Sequence, residues 1–190
     1  MTLDLNFGLQ IDNYVTVNMF TLEKIIDAVD GIDVYLPYNV DGKSTLEEDP
    51  FDLGYFEKGY HHLNGETAVS LARIRLVDDV FHRANRQSLV LYGLQEKLLN
   101  PAVLPRIPKL IMAFEDSVKT NLSALQIRQL TCLAPHINRH NLTMTNLPRD
   151  LFTAATIEVE NYTKPVFVWS TDYEVIQQLL DLFQNGFWPQ

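Results

Sequence analysis

Residues 70–100 read SLARIRLVDDVFHRANRQSLVLYGLQEKLLN, and the interpretation of the whole chain starts from this stretch. Apolar residues recur there at steps of three and four until the Asn100-Pro101 pair stops the pattern. The residues that mark these steps are Val90, Leu91, Leu94 and Leu98. The spacing therefore predicts one helix that begins near His82 and ends before Pro101.

Four of the eight arginines of the chain lie in the same stretch, although the protein has a net charge of -9. They are Arg73, Arg75, Arg83 and Arg86. Continued towards the N-terminus, the apolar stripe of the helix passes through Arg83, Arg86 and Gln87, so these side chains are expected to face the body of the protein. Burying an unpaired charge costs several kcal/mol, and inward arginines therefore need an anionic partner.

Two kinds of partner fit this cluster of arginines. The planar guanidinium group matches two oxygens of a phosphate at once, which favours a phosphate ligand. Asp78, Asp79 and Glu66 lie nearby, and a network of salt bridges that joins a helix to a sheet is the alternative. The clustering alone does not separate the two hypotheses.

Composition indicates one soluble globular domain. The 190 residues are 46% hydrophobic and 21% charged, which is ordinary for a folded domain. The sequence contains neither an apolar run of membrane-spanning length nor an N-terminal signal peptide pattern, so the chain itself is predicted to be soluble. A pI near 4.9 argues against broad nucleic-acid binding, which needs a basic face.

The first part of the chain predicts an α/β fold. Residues 11–19 alternate and are rich in β-branched side chains, which is typical of a strand. Thr21 is then predicted to cap a short amphipathic helix that ends at Gly31. Residues 32–36 form a second predicted strand, so the order strand, helix, strand indicates a parallel crossover.

The next segment is predicted to be mostly irregular. Residues 38–59 mix glycine, proline, acids and aromatics, and we interpret their acidic cluster as a solvated loop rather than a metal site. Residues 59–65, GYHHLNG, predict a turn that delivers Asn64 as the N-cap of a helix over residues 66–73. His61 and His62 are adjacent, so in an extended segment they point to opposite sides and do not share a metal.

The C-terminal part predicts more helices and two strands. Helical spacing covers residues 109–116, and TNLS at 120–123 caps a further helix that ends before Pro135. Strands are predicted at 141–147 and 165–169, with a polar loop over 148–164. Ser170, Thr171 or Asp172 caps the last helix. Together the elements predict a three-layer α/β/α sandwich with a mixed central sheet.

Several motifs in this order resemble the LytR-CpsA-Psr family. They are IDNYVTVNMFTLEKIIDAVDGIDVYLP at 11–37, F-x-x-G-x-x-x-L-N-G-E-T-A at 56–68, A-R-I-R at 72–75 and D-x-x-x-x-R-x-x-R-Q at 78–87. The resemblance implies an extracytoplasmic, membrane-associated enzyme of bacterial envelopes that moves a glycopolymer from a polyprenyl-diphosphate carrier to peptidoglycan. It also implies an α/β/α sandwich that encloses a pocket for the lipid tail.

The resemblance assigns roles to the arginine stretch. Arg73, Arg75, Arg83 and Gln87 match the residues that hold the diphosphate, with Arg73 and Arg83 as catalytic candidates. Arg86 matches the second arginine of the last motif and is a further ligand candidate. Leu94 is expected to line the lipid pocket, with Leu89, Val90 and Leu98 as neighbours, although an ordinary core gives the same pattern. The family also implies Mg²⁺, which would offset the charge of the diphosphate.

Some positions depart from the family pattern. Val80 stands where the family usually has a second aspartate, and His82 replaces a usual glycine. We expect residues 1–190 to form a single domain that lacks the first strand, a Pro-Arg-Asp motif with metal ligands, and the membrane anchor. Pro148, Arg149 and Asp150 repeat that motif on the wrong side of the arginines, which we interpret as coincidence. An uncovered sheet edge makes a homodimer a reasonable expectation.

Three functions follow from this interpretation. The first is a glycopolymer phosphotransferase. The second is a non-catalytic module that binds a polyprenyl-phosphate lipid, because the usual metal ligands and the second aspartate are missing. The third is a transcription-related regulator of envelope genes, against which the acidic charge and the lack of a basic helix-turn-helix argue.

Overall fold

The computed structural model describes residues 2–43, 53–75, 79–103, 105, 117–133, 136–137, 144–160 and 162–187. The helices are α1 (Thr2–Phe7), α2 (Met19–Ala28), α3 (Gly65–Arg73), α4 (Val80–Leu98), α5 (Ala124–Leu133) and α6 (Tyr173–Gln184), and a 3-10 turn covers Arg149–Leu151. The strands are β1 (Val15–Val17), β2 (Ile32–Leu36), β3 (Val40–Asp41), β4 (Tyr55–Phe56), β5 (Gly59–Leu63), β6 (Val118–Thr120), β7 (Phe152–Ile157) and β8 (Val166–Thr171). The mixture of helices and strands confirms the predicted α/β class.

The chain divides into two compact units. One comprises Asn13–Asn146 and holds the arginine stretch. The other comprises Met1–Asp12 together with Leu147–Gln190. Among the helices that the structure describes, none has both the length and the apolar character needed to cross a bilayer.

The described strands form four antiparallel pairs, β1 with β6, β2 with β5, β3 with β4 and β7 with β8. The predicted parallel crossover is therefore wrong, because β1 and β2 flank helix α2 but take different antiparallel partners. All five residues of β2 are in register with β5, from Ile32 opposite Leu63 to Leu36 opposite Gly59. This pairing fixes which face of β2 points inward.

The core of the larger unit lies against β2. Alternate residues Ile32, Val34 and Leu36 are buried, as the two-residue period of a strand requires. They pack with apolar side chains of α2, α3 and α4 in one cluster. Helix α4 approaches β2 closely at Gly93, where an added Cβ would lie 2.9 Å from the backbone oxygen of Asp33. The absence of a side chain at Gly93 therefore lets α4 lie directly on the sheet.

The start of α2 differs from the prediction. The helix begins at Met19, and its N-cap is Asn18 rather than Thr21. The Asn18 Oδ1 accepts hydrogen bonds from the Thr21 backbone nitrogen at 2.7 Å and from the Thr21 Oγ1 at 2.8 Å. Asparagine and threonine both cap helices well, so the pattern offered two candidates three residues apart.

Helix α4 likewise begins slightly earlier than predicted. It starts at Val80 rather than near His82, because Asp79 is its N-cap. The Asp79 Oδ1 accepts from the backbone nitrogens of Phe81 and His82, both at 3.0 Å. The earlier start does not change the face of the helix on which Arg83, Arg86 and Gln87 are expected, because the residue spacing along the helix is the same.

The predicted turn over residues 59–65 is wrong, because Gly59–Leu63 forms strand β5. The predicted cap is confirmed: the Asn64 Oδ1 accepts from the Thr67 backbone nitrogen at 2.9 Å, and α3 follows at once. The excursion over 38–59 contains the short β3–β4 pair. Its acidic cluster at 47–52 lies outside the described residues.

The smaller unit corrects two predictions. The polar loop expected over 148–164 contains strand β7, which pairs along its whole length with β8. The strand expected over 165–169 is present as β8, which begins at Val166, but it is only partly buried. The last helix begins after Asp172, whose carboxylate caps it as predicted.

Two further predicted elements fall wholly or partly outside the described residues. The helix over 109–116 cannot be compared, and residues 141–143 of the expected strand are not described. Residues 144–147 are described and carry no strand. The helix after TNLS is confirmed as α5. At its start the Ser123 hydroxyl accepts from the Gln126 backbone nitrogen, and the Gln126 side-chain oxygen accepts from the Ser123 backbone nitrogen.

Candidate functional site

The arginine stretch forms a junction between two helices of the larger unit. Helix α3 ends at Arg73, and its C-cap Ile74 has an extended backbone, with φ -53° and ψ 131°. Ile74 itself is buried, with a relative exposure of 1%. After Asp79 the chain enters α4, which packs back against α3. The junction therefore brings the end of α3 beside the first half of α4.

Arg86 and Gln87 join the two helices. Arg86 is fully buried, with 0% relative exposure. Its Nε donates to the Leu71 carbonyl oxygen at 3.3 Å, and its Nη2 donates to the Ile74 carbonyl oxygen at 2.7 Å. The Gln87 Nε2 donates to the Ala72 carbonyl oxygen at 3.4 Å. The predicted inward direction of Arg86 is thus confirmed, and carbonyl groups of α3 are among its partners.

The other three arginines of the stretch have a different environment. Arg73 and Arg75 are exposed on either side of buried Ile74, and Arg83 is half-buried one turn before Gln87 on α4. Within the part of the chain that the structure describes, none of the three makes a hydrogen bond or an ion pair. The junction therefore carries three guanidinium groups whose donors remain available to a ligand.

The nearby carboxylates are engaged elsewhere or lie apart. Asp79 caps α4, and its Oδ1 also lies 2.8 Å from Nδ1 of His82. Glu66 lies in the first turn of α3, at the opposite end of that helix from Arg73. Asp78 lies outside the described residues. The junction is therefore locally cationic within a strongly acidic protein.

Leu94 belongs to the hydrophobic core of the larger unit. It is 8% exposed and packs in the same cluster as Val90, with Leu89 and Leu98 packed against that cluster. A cavity of about 460 Å³ lies elsewhere in this unit, between β1 and α5, and Leu94 is not one of its lining residues. The role of Leu94 in holding a lipid tail stays a prediction.

The described residues offer no group of three or more His, Cys, Asp or Glu side chains that could hold a metal ion. A polar cluster elsewhere in the larger unit joins His62 and Lys97 to Asp33, with His62 Nδ1 donating at 2.7 Å and Lys97 Nζ at 3.1 Å. These two hydrogen bonds, the one from His62 first, hold the pKa of Asp33 below its ordinary value. The cluster lies on the exposed side of β2, where Asp33 is 65% exposed.

Sequence reasoning missed the contacts that hold the end of α3. It assigned Arg86 and Gln87 to a ligand and did not foresee that both side chains donate to carbonyl oxygens at the end of α3. A signal for this was present in the sequence. Helices commonly end on a glycine or asparagine that closes their last turn, and α3 is followed by Ile74 and Arg75 instead.

Residues 1–181 match the model of the LytR_cpsA_psr family. The chain belongs to the LytR_cpsA_psr family.

Similar proteins include two named transferases. TagV of Bacillus subtilis, named polyisoprenyl-teichoic acid–peptidoglycan teichoic acid transferase, is 37% identical over 114 residues, covering 59% of this chain and 29% of TagV. TagU of Enterococcus faecalis carries the same description and is 31% identical over 124 residues, covering 64% of this chain and 38% of TagU. The segments of this LytR_cpsA_psr chain that match therefore cover well under half the length of these relatives.

The fold is also similar to a solved structure of the family. The crystal structure of B. subtilis TagV matches with a TM-score of 0.70 and 25% identity, covering 99% of this chain and 69% of that chain. The match extends over both compact units of the LytR_cpsA_psr chain.

The Pro-Arg-Asp motif at residues 148–150 lies in the smaller unit. Arg149 and Asp150 begin the short 3-10 turn before β7, and Pro148 is its N-cap. The Arg149 guanidinium lies over the Trp169 ring, 5.4 Å from its centroid. The motif is exposed at Arg149 and Asp150, and the interpretation of it as coincidence stays a prediction.

Proposed function

We propose that this chain is the lipid-phosphate-binding part of a cell-wall glycopolymer phosphotransferase. Its substrate would be a glycopolymer on a polyprenyl-diphosphate carrier, and its acceptor would be peptidoglycan. Membership of the LytR_cpsA_psr family supports the proposal, as do the names of TagV and TagU, which describe transfer of teichoic acid from a polyisoprenyl carrier to peptidoglycan.

The observation that carries the proposal is the set of three guanidinium groups without a partner in the described residues. Arg73, Arg75 and Arg83 present planar donor pairs at one helix junction, and such pairs match the oxygens of a diphosphate. A ligand with two linked phosphates would supply the negative charge that these three groups lack among the described residues. Arg73 and Arg83 are the candidates for catalysis, and Arg75 for binding.

The proposed reaction exchanges one phosphorus–oxygen bond for another. A hydroxyl of peptidoglycan attacks the phosphorus that carries the glycopolymer, and the bond from this phosphorus to the bridging oxygen breaks. The products are a phosphodiester link, a polyprenyl phosphate and the proton of the hydroxyl. Guanidinium groups would stabilise the charge that develops on the equatorial and leaving oxygens. No base for the hydroxyl proton is assigned among the described residues.

The finer architecture and the location are part of the same proposal. We propose that the fold is a three-layer α/β/α sandwich with a mixed central sheet, and that Leu94 lies next to the lipid tail. The working location is the extracytoplasmic face of the bacterial membrane, where the carrier lipid and peptidoglycan meet. A second copy of the chain is the proposed cover for any open sheet edge.

Mg²⁺ is proposed as the cofactor, and its chemistry would be to offset the charge of the diphosphate. The described residues do not provide a cage of three protein ligands for it. Magnesium commonly takes only one or two carboxylates together with phosphate oxygens and water. The proposed reaction is therefore described without a step that depends on the metal.

The proposal is tested with Arg83→Ala and a matched control. Arg128→Ala removes the same charge from an exposed position on α5. The measurements are transfer of labelled glycopolymer to peptidoglycan and binding to vesicles that contain a polyprenyl diphosphate. Arg83→Ala should abolish transfer and weaken binding by about tenfold or more, equivalent to about 1.4 kcal/mol. Normal transfer and binding by Arg83→Ala would contradict the proposed role of the arginines in binding the diphosphate.

A non-catalytic lipid-phosphate-binding module is the second candidate. Val80, which replaces a usual acidic position, and the lack of a three-ligand metal group in the described residues favour it. The same assay separates the two candidates, because a binding module holds the vesicles through Arg83 but transfers nothing. A transcription-related regulator would instead shift a DNA probe at physiological salt, which the net charge of -9 opposes.

A further inference from the structure

The end of α3 is closed in an unusual way. At the ends of α2, α4 and α6, the backbone N–H of the C-cap residue donates back to carbonyl oxygens of its own helix. The C-cap of α3, Ile74, makes no such backbone bond within the described residues. The last carbonyl groups of a helix have no partner inside the helix, so those of α3 need donors from elsewhere.

Side chains of α4 supply these donors. Arg86 reaches the carbonyl oxygens of Leu71 and Ile74, and Gln87 reaches that of Ala72. Three of the last carbonyl groups around the end of α3 are thereby satisfied from a helix that begins several residues later. The Arg86 guanidinium is positively charged, which also complements the negative end of the α3 dipole.

The residue between the two exposed arginines is fixed from both sides. The carbonyl group of Ile74 is held by Arg86 at 2.7 Å. Its side chain is 1% exposed and packs over Gly42, where an added Cβ would lie 2.6 Å from the Ile74 Cδ1. With backbone and side chain both held, the directions in which the neighbours Arg73 and Arg75 leave the chain are fixed.

We propose that Arg86 is a positioning residue: its buried guanidinium holds the end of α3 so that Arg73 and Arg75 are presented together to a diphosphate. This inference rests on the proposed function and changes the expected role of Arg86 from ligand to support. A side chain with 0% exposure that is engaged with carbonyl oxygens does not reach a ligand at the surface. Arg86 acts on the ligand only through Arg73 and Arg75.

The geometry also explains why this position carries arginine. Two different nitrogens of one planar group reach the carbonyl oxygens of residues 71 and 74. Lysine has a single ammonium nitrogen on a flexible stem, so it keeps the charge but does not span both carbonyl groups in a fixed geometry. Arg86→Lys is therefore the conservative change that isolates the positioning role.

The test is a double-mutant cycle on the 190-residue chain, with farnesyl diphosphate as the soluble probe. Binding is measured for the wild type, for Arg86→Lys, for Arg73→Ala combined with Arg75→Ala, and for the triple variant. Arg86→Lys should weaken binding by about tenfold in the wild type but by less than about twofold once Arg73 and Arg75 are alanine. Equal factors in the two backgrounds would overturn the positioning role, since they would show that Arg86 acts independently of the pair.

Two further comparisons separate failure of the proposed diphosphate site from failure of the positioning role of Arg86. If Arg73→Ala with Arg75→Ala binds the probe as tightly as the wild type, the proposed site and the inference both fail, whereas loss of coupling alone overturns only the inference. If Arg86→Lys does not fold, as judged by circular dichroism, Ile74→Val takes its place in the cycle, because Ile74 anchors the same segment from the opposite side. The expected coupling has the same sign, and an additive result again overturns the proposal.

Discussion

The two ends of helix α3 are held by different kinds of contact. The N-terminal end is secured largely by residues close to it in sequence: Asn64 caps the helix by accepting from the Thr67 backbone nitrogen at 2.9 Å and from the Thr67 hydroxyl at 2.7 Å. Gly65 then lies against α2, and its backbone nitrogen donates to the Asp27 carboxylate at 2.7 Å. The C-terminal end depends on Arg86, which lies 12 residues after Ile74.

This difference bears on the candidate site, because the end that has no cap from its own neighbouring residues is the end that carries Arg73 and Arg75. The Asn64 cap can form as soon as its own residues are ordered, whereas the bond from the Gly65 backbone nitrogen to Asp27 also needs α2 in place. The C-terminal end keeps its described shape only while α4 is docked. The arrangement of the candidate ligands is therefore coupled to the packing of α4 on α3, and the following predictions probe both ends.

The largest effect on stability is expected at the C-terminal end. Arg86→Met keeps much of the volume but leaves the Leu71 and Ile74 carbonyl oxygens without these donors, which should lower the free energy of unfolding by about 2 to 4 kcal/mol. Urea denaturation measures this loss. Arg128→Met, on the exposed face of α5, should change the same quantity by no more than about 0.5 kcal/mol. Similar small values for both variants would show that the two carbonyl bonds do not hold this end.

The next largest effect is expected at the N-terminal end, for Gly65→Ala. The sign of the stability change shows whether helix propensity or close packing dominates at this position. Alanine is a better helix former than glycine by about 1 kcal/mol, so propensity alone predicts that Gly65→Ala stabilises the protein. An added Cβ, however, would lie 2.1 Å from the Glu23 carbonyl oxygen, and a backbone atom cannot move aside as a flexible side chain can. Overpacking of this kind costs about 1 to 3 kcal/mol, so thermal unfolding should show a lower midpoint. A raised midpoint would contradict the close approach.

The same contrast shows what could be predicted from the sequence. The Asn64 cap was predicted because a cap is a local pattern, whereas the strand directly before it was missed. Residues 59–63 look like a turn until β2, more than twenty residues away, is known to pair with them. Strand β7 was missed for the same reason, since its partner β8 follows a polar loop. Pairing partners are properties of the folded chain that local composition does not carry.

The candidate site was predictable to a similar extent. The position and inward direction of Arg86 followed from the helical period, which fixes the face on which each side chain lies. Its carbonyl partners did not follow, because they depend on where the end of α3 meets α4. Sequence patterns therefore predicted that the four arginines lie in one region. The structure was needed to show that Arg86 is buried and bonded to carbonyl oxygens, whereas the other three have no partner among the described residues.

A smaller effect is expected for the cap at the N-terminal end. Asn64→Ala removes the acceptor for the Thr67 backbone nitrogen and should cost about 1 kcal/mol, as loss of an N-cap usually does. Asn64→Ser is the matched control, because a serine hydroxyl also caps and should retain most of the stability. Denaturant unfolding of the two variants gives the comparison. Equal losses would mean that the side-chain acceptor contributes little and that Gly65 holds this end.

The smallest effect is expected for Asp33, an exposed carboxylate on β2 that pairs with the helix that carries Arg86. Lys97 of α4 donates to Asp33 on β2, but Asp33 is 65% exposed and solvent weakens the interaction. Asp33→Asn should therefore lower the free energy of unfolding at neutral pH by less than about 1 kcal/mol. The matched control is Glu57→Gln, which changes the net charge equally at an exposed carboxylate that makes no ion pair within the described residues.

The pH dependence gives this last prediction its sign. The bonds from His62 and Lys97 lower the pKa of Asp33 in the folded protein, so the folded state favours the ionised carboxylate more than the unfolded state does. The contribution of Asp33 is therefore complete above its unfolded pKa, about 3.9, and is lost as the pH falls through the lower folded value. The difference between wild type and Asp33→Asn should shrink over that acidic range and also with added salt. The expectation is contradicted if the difference grows on acidification or is as large as that of Arg86→Met. Either result would show that solvent exposure does not make the Lys97–Asp33 contact weaker than the buried contacts of Arg86.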